Sequence, residues 1–168
     1  KGEAELDPVI DNIRSWIDAL SVAHVASIDN EDQGAIAVGE LMATLMKPYT
    51  DAGRKLSVNG DVVTLQHSML TPFSMVFHEL ATNAVKYGGR QTDKGDVTLT
   101  WALVEGDDHQ EALPHAANDD HDMLIVHWNE RMPTEQILKG EIVQGFGGRL
   151  IAGSIRQMGG VMTQSWSA

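Results

Sequence analysis

Between Thr71 and Tyr87 one run of sequence carries two stripes that a helix must set side by side. At about 100° per residue, Phe73, Phe77, Leu80, Ala84 and Tyr87 fall on one face, and Glu79, Asn83 and Lys86 fall within about 60° of one another next to it. A carboxylate, an amide and an ammonium then border the core instead of pointing to open solvent. Such a helix either lines a pocket or carries a solvated polar stripe, and the spacing by itself fits both. Thr71-Pro72 reads as its start, a cap followed by Pro at the first helical position, and Gly88-Gly89 as its end.

The rest of the chain sorts around this helix. Asp7-Pro8 opens an earlier amphipathic helix, with Val9, Ile13, Ile17 (or Trp16) and Leu20 on its apolar side and Asp11, Arg14 and Asp18 opposite. A second helix follows Gly34, carrying Val38, Leu41, Leu45 and Tyr49 on one stripe, ending near Gly53 and bent or shortened by Pro48. Lys55 to Gln66, with Leu56 and Val58 before Asn59-Gly60 and Val62 to Leu65 after it, has the pattern of a hairpin. Val97, Leu99, Trp101 and Leu103 alternate as a half-buried strand. Residues 107–122 form a long polar loop, and Met123 to Trp128 a further strand. A helix of about ten residues opens at Gly145-Phe146-Gly147-Gly148 and stops at Gly159-Gly160, and Val161 to Trp166 is a last strand. Helices layered on a mixed sheet make the expected class α+β.

Composition excludes several functions. Among 168 residues there are 12 Lys+Arg and 24 Asp+Glu, a formal net charge of -12 that disfavours nucleic acid and anionic membrane surfaces. With no Cys there is no disulfide, thiolate zinc site or cysteine nucleophile. No apolar run approaches the roughly 20 residues of a membrane helix, so the expectation is a soluble, cytoplasmic domain without membrane insertion. Lys1 stands where an initiator Met would, which suggests a part of a longer protein.

Three constellations have chemical potential. On the 71–87 helix, Glu79 can orient or deprotonate water, Asn83 can offer an amide oxygen to Mg²⁺, and Lys86 can meet a phosphate. At Gly145-Phe146-Gly147-Gly148, glycines before a helix let backbone N–H groups approach an anion, or simply form a flexible loop. On the strand ending Trp128-Asn129-Glu130, a carboxylate terminates the apolar row Leu124, Val126, Trp128; it either accepts from a donor such as an adenine amino group or lies at an exposed strand end. His109, His115 and His121 are too widely spaced in a polar stretch to suggest a metal site over a solvated insertion. Met42, Met46, Met69 and Met75 occupy apolar helical positions as core filler.

Together these segments resemble the HWE family of sensor histidine kinases within the GHKL ATP-binding superfamily. Residues 78–88 supply all of a His-Glu-Leu-Ala-Thr-Asn-Ala-x-Lys-Tyr-Gly N box, 145–150 a Gly-Phe-Gly-x-x-Leu box, and His78, Trp128 and Glu130 the family's eponymous residues. Trp101 also matches a strand Trp of the family. The resemblance runs from about Leu20 to the C-terminus. It implies a Bergerat-type two-layer α/β sandwich over residues 34–168, with residues 1–33 a remnant of a dimerisation helix and its linker.

By the same resemblance, Glu79 and His78 are the expected catalytic residues, although His78 lies about 100° from Glu79 and should turn away from the core. Asn83, Lys86, Tyr87, Glu130, Gly145, Phe146, Gly147 and Gly148 would bind ATP, Asn83 through Mg²⁺, with residues 131–144 as a lid. The implied reaction is γ-phosphoryl transfer to a His outside this chain and then to a response-regulator receiver domain, in a protein that dimerises through upstream helices. A GHKL-type ATPase, and an adaptor or histidine phosphotransferase that lost ATP, are the alternatives. Two departures bear on this. Arg131-Met132-Pro133 replaces the family's Gly-Gly-Pro, and the chain stops at Ala168 where the family continues into another strand. The phosphoacceptor segment is absent, so the chain alone is expected not to autophosphorylate; His24, on the first helix, is the one internal candidate.

Overall fold

The alternation on residues 97–103 becomes the middle strand of a mixed sheet. In the computed structural model, which describes residues 10, 13–14, 16–21, 24–25, 35–50, 56–86, 96–104, 122–131 and 146–165, strand β1 (Ala35–Ala37) leads into helix α1 (Val38–Thr50). Strands β2 (Leu56–Gly60) and β3 (Thr64–Gln66) follow, then helix α2 (His67–Lys86), strands β4 (Asp96–Val104) and β5 (Met123–Arg131), and helix α3 (Phe146–Gln157). β4 lies between β2 and β5, parallel to the first and antiparallel to the second. β1 and β3 form a separate antiparallel ribbon. The expected α+β class with a mixed sheet is the observed one.

Period-two and period-3.6 patterns meet in a single core. Val97, Leu99 and Trp101 turn inward from β4, and Leu41, Met42, Leu45 and Met46 from α1. Phe73, Phe77 and Ala81 come from α2 and Ile151 from α3. Leu124, Val126 and Trp128 pack onto the same cluster from β5, where they alternate with more exposed neighbours from His127 onward. Met75 is also buried, and Met69 packs at the edge, as expected of core methionines.

Several local expectations are corrected. Residues 56–66 are not a hairpin: β2 pairs with β4 from Leu56↔Val97 to Gly60↔Trp101, while β3 pairs with β1. A tight hairpin of this length needs positive φ at its turn residues, and among the described residues only Gly159 has positive φ. Gly60 serves close approach instead, since a Cβ there would overlap the Trp101 ring. The Trp101 Nε1–H donates to the Asp61 carbonyl at 2.8 Å, and the Asp61 carboxylate accepts from the Leu103 N–H at 3.0 Å.

α2 begins at His67, one turn before the expected Thr71 start, and carries Pro72 inside it. Leu70, 1% exposed, anchors the extra turn in the core and offsets the hydrogen bond that Pro72 cannot make. The segment before α1 is the short strand β1, whose ribbon is tied to the helix by Val38 N–H donating to the Val63 carbonyl at 2.8 Å. Pro48 sits in the last turn of α1 and does not end it before Thr50.

Residues 161–165 form no strand; Val161 and Met162 are exposed. Gly159 takes φ +73°, its N–H donates to the Arg156 carbonyl, and the Gly160 N–H donates to that of Ile155, a Schellman closure of α3.

The helical residues among 10–25 also invert their expected face. Ile13, Ile17 and Leu20 are exposed, as is Ile10, whereas Ala19 is buried at 1% exposure and Trp16 is half-buried. The apolar stripe finds no cover in this fold, and the helix docks through its Trp16 side. Among the described residues no helix is long and apolar enough to cross a membrane.

Candidate nucleotide and phosphate site

The polar stripe of α2 climbs out of the core. Glu79 is 8% exposed, Asn83 is half-buried and Lys86 is exposed. The stripe therefore starts inside the fold and ends at its surface, and is not a wholly solvated face. α3 packs against α2, and a Cβ added to Gly147 would run into the Glu79 carboxylate at Oε2. A larger residue there would have to push the Glu79 carboxylate aside. Glu79, Phe146 and Gly147, placed in one site on sequence grounds, are thus brought together at the N-terminus of α3.

Trp16 completes this junction. Its indole Nε1–H donates to Glu79 Oε1. Its ring stacks on Phe146, with centroids 4.6 Å apart and planes at 29°. The Arg149 guanidinium lies over the Phe146 ring, 5.9 Å from its centroid. Sequence reading offered Trp16 only as an alternative to Ile17 on the apolar stripe. The available signal was that an indole carries a polar N–H that a buried position has to satisfy.

Glu130 is held on β5 opposite Val97, and its Oε1 accepts from the Trp128 Nε1–H at 2.8 Å. It shares the half-buried face of Trp128, beside the core. The Trp-x-Glu spacing is therefore a structural unit: one indole sets the rotamer of one carboxylate. Arg131, at the end of the same ladder, lies 3.7 Å from Asp96 in an exposed ion pair. That is where the departure from Gly-Gly-Pro begins.

His78 does not turn away from the fold. It is 8% exposed, and its Nδ1 lies 3.1 Å from the Tyr49 hydroxyl, which is also 3.1 Å from Thr82 Oγ1. The reason is that α2 is covered on two sides: α1 brings Tyr49 over the face next to the Glu79 stripe. Tyr49 reads from sequence as a stripe residue, and no local signal marks it or Thr82 as a polar partner of this helix. Burial raises the Tyr49 pKa, with the Glu79 and Asp18 charges acting the same way and the Thr82 hydrogen bond opposing them. The phenol stays protonated, donating to one partner and accepting from the other.

Burial pushes His78 below its ordinary value of 6.5, against the pull of Glu79 and Asp18 and together with the repulsion of Lys86. The unfolded chain then binds a proton near pH 6.5 that the folded chain refuses until lower pH. Stability present above that value is lost as pH falls through it towards the folded value. Urea unfolding at about pH 7.5 and about pH 5.5 should show this acid-side loss, and His78→Gln should reduce it. An identical pH dependence in the variant would mean that another group carries it.

Tyr87, Gly145 and most of the 131–144 segment lie outside the described residues, as do His109, His115 and His121. Gly148 is half-buried in the first turn of α3. Among the described residues no three His, Cys, Asp or Glu side chains cluster as a metal site. His24 is exposed.

No protein-family model matches the chain. Blue-light-activated histidine kinase 1 of Erythrobacter litoralis (strain HTCC2594) is 30% identical over 169 residues, covering 99% of this chain and 42% of that protein. The chain thus spans less than half the length of this curated relative. Among solved structures, the Erythrobacter litoralis EL346 blue-light activated histidine kinase superposes with a TM-score of 0.60 over 95% of this chain and 46% of that one, at 14% identity. The histidine kinase domain of the same protein gives 0.53 over 87% and 64%, also at 14% identity. These two likenesses concern the fold.

Proposed function

We propose that this chain is of the HWE type of histidine kinase, with residues 34–168 as the catalytic ATP-binding unit of a two-component sensor kinase and residues 1–33 as a dimerisation helix and its linker; its 30% identity to a histidine kinase over 99% of its length supports the reading. The observation that carries this reading is the fit of Gly147 against Glu79, which joins the N-box helix to the glycine-rich start of α3. A helix N-terminus with glycines suits phosphate oxygens, and the α2 stripe beside it supplies Asn83 and Lys86.

In this reading Asn83 offers its amide oxygen to Mg²⁺, Lys86 contacts phosphate, and Glu130 accepts from the adenine amino group. Gly145, Gly147 and Gly148 present backbone donors, and Phe146 and Tyr87 border the nucleotide. Bound Mg²⁺ would neutralise charge on the transferring phosphoryl group, so the protein's share is positioning and electrostatics. Glu79 orients the acceptor side. His78 is buried and tied to Tyr49, so its part is to hold the N-box helix against α1. The phosphoryl group passes to a His supplied by another segment and then to a response-regulator receiver domain, in a cytoplasmic homodimer.

Calorimetry with Mg-ATP tests this. The chain should bind, and Asn83→Ala should weaken binding by at least about tenfold with an unchanged circular dichroism spectrum. Unchanged affinity would remove Asn83 from the site. Steady phosphate release without an acceptor protein would favour an ATPase, and no binding at all the adaptor.

A further inference from the structure

Glu79 Oε1 is taken by the Trp16 indole N–H, and its Oε2 lies against Gly147, in the first turn of α3. The end of a helix that attracts anions thus already has a carboxylate beside it. Trp16 holds that carboxylate in place and stacks on Phe146, the first residue of α3. Trp16 belongs to a helix whose Ile10, Ile13, Ile17 and Leu20 are left exposed. The Trp16 side chain reaches the site with two contacts, a hydrogen bond to a charged group and a ring stack.

Building on the nucleotide reading above, we propose that Trp16 is a positioning residue that keeps the phosphate end of the site closed: it holds Glu79 against Gly147 as an internal anion and pins Phe146 over the junction. A nucleotide's phosphates must displace this arrangement, and movement of the N-terminal helix releases it. The helix is then coupled to triphosphate affinity through Trp16, and binding of ATP should in turn loosen the helix.

Two substitutions separate the contacts. Trp16→Phe keeps a ring for the Phe146 stack and removes the N–H; Trp16→Ala removes both. Calorimetry on the full chain, with Mg-ATP and separately with adenosine, reads the effect. Loss of a hydrogen bond to a charged group should raise Mg-ATP affinity about ten- to hundredfold in Trp16→Phe, and further in Trp16→Ala. Adenosine affinity should be unchanged in both, because the closure acts on phosphates alone. Placing Trp16→Phe in a Glu79→Gln background should abolish most of its effect, since the carboxylate that the indole holds is then gone.

Unchanged or weakened Mg-ATP binding in both variants, with wild type binding normally, overturns the role of Trp16. Equal gains for ATP and adenosine also overturn it, because they would reflect general loosening. If wild type and both variants bind neither ligand, the nucleotide reading itself fails, and this inference with it.

Discussion

Trp101→Ala is expected to lower the stability of the chain by about 3–5 kcal/mol, the range for emptying a large aromatic site. Trp101 is 6% exposed, part of the main core cluster, and hydrogen-bonded to the Asp61 backbone. Its ring also occupies the space over Gly60. Gly60→Ala should therefore cost about 1–3 kcal/mol by pushing the ring out of its place. The two effects share one cause. With Trp101 already replaced by Ala, the added Cβ has nothing to strike, so the double variant should lose less than the sum, by more than about 0.5 kcal/mol. Denaturant unfolding of the four proteins measures this, and strictly additive losses would show that ring and glycine do not constrain each other.

The second large effect is expected at Glu130. If its carboxylate accepts from the adenine amino group, Glu130→Ala removes a charged hydrogen bond of about 1.5–3 kcal/mol, roughly ten- to hundredfold in Mg-ATP affinity. Preference for ATP over GTP should fall at the same time, because a carboxylate repels the guanine carbonyl and alanine does not. Glu130→Gln supplies the contrast: its amide can also donate, so GTP binding should improve most in this variant. Competition binding with both nucleotides reads the ratio directly. A ratio unchanged in both variants would leave Glu130 as a structural partner of the Trp128 indole only.

What periodicity and local chemistry could determine was determined by the sequence. The α2 stripe of Glu79, Asn83 and Lys86, the inward alternation of Val97, Leu99 and Trp101, and the half-buried row ending at Glu130 were each legible because their signal repeats within a few residues. The glycine stop after α3 was legible for the same reason. Tertiary structure decided which partners these elements took. Leu56 to Gly60 has the same local pattern whether it folds back on residues 62–65 or crosses to lie parallel to β4, and the difference is the fit of Gly60 under a ring distant in sequence. His78 looked solvent-facing because a single helix defines only one core face, whereas α1 covers a second. On the N-terminal helix the expected stripe Ile13-Ile17-Leu20 is exposed, whereas Ala19 is buried and Trp16 half-buried. Docking chose the Trp16 side because an indole can satisfy a buried carboxylate and stack on Phe146, and aliphatic side chains can do neither.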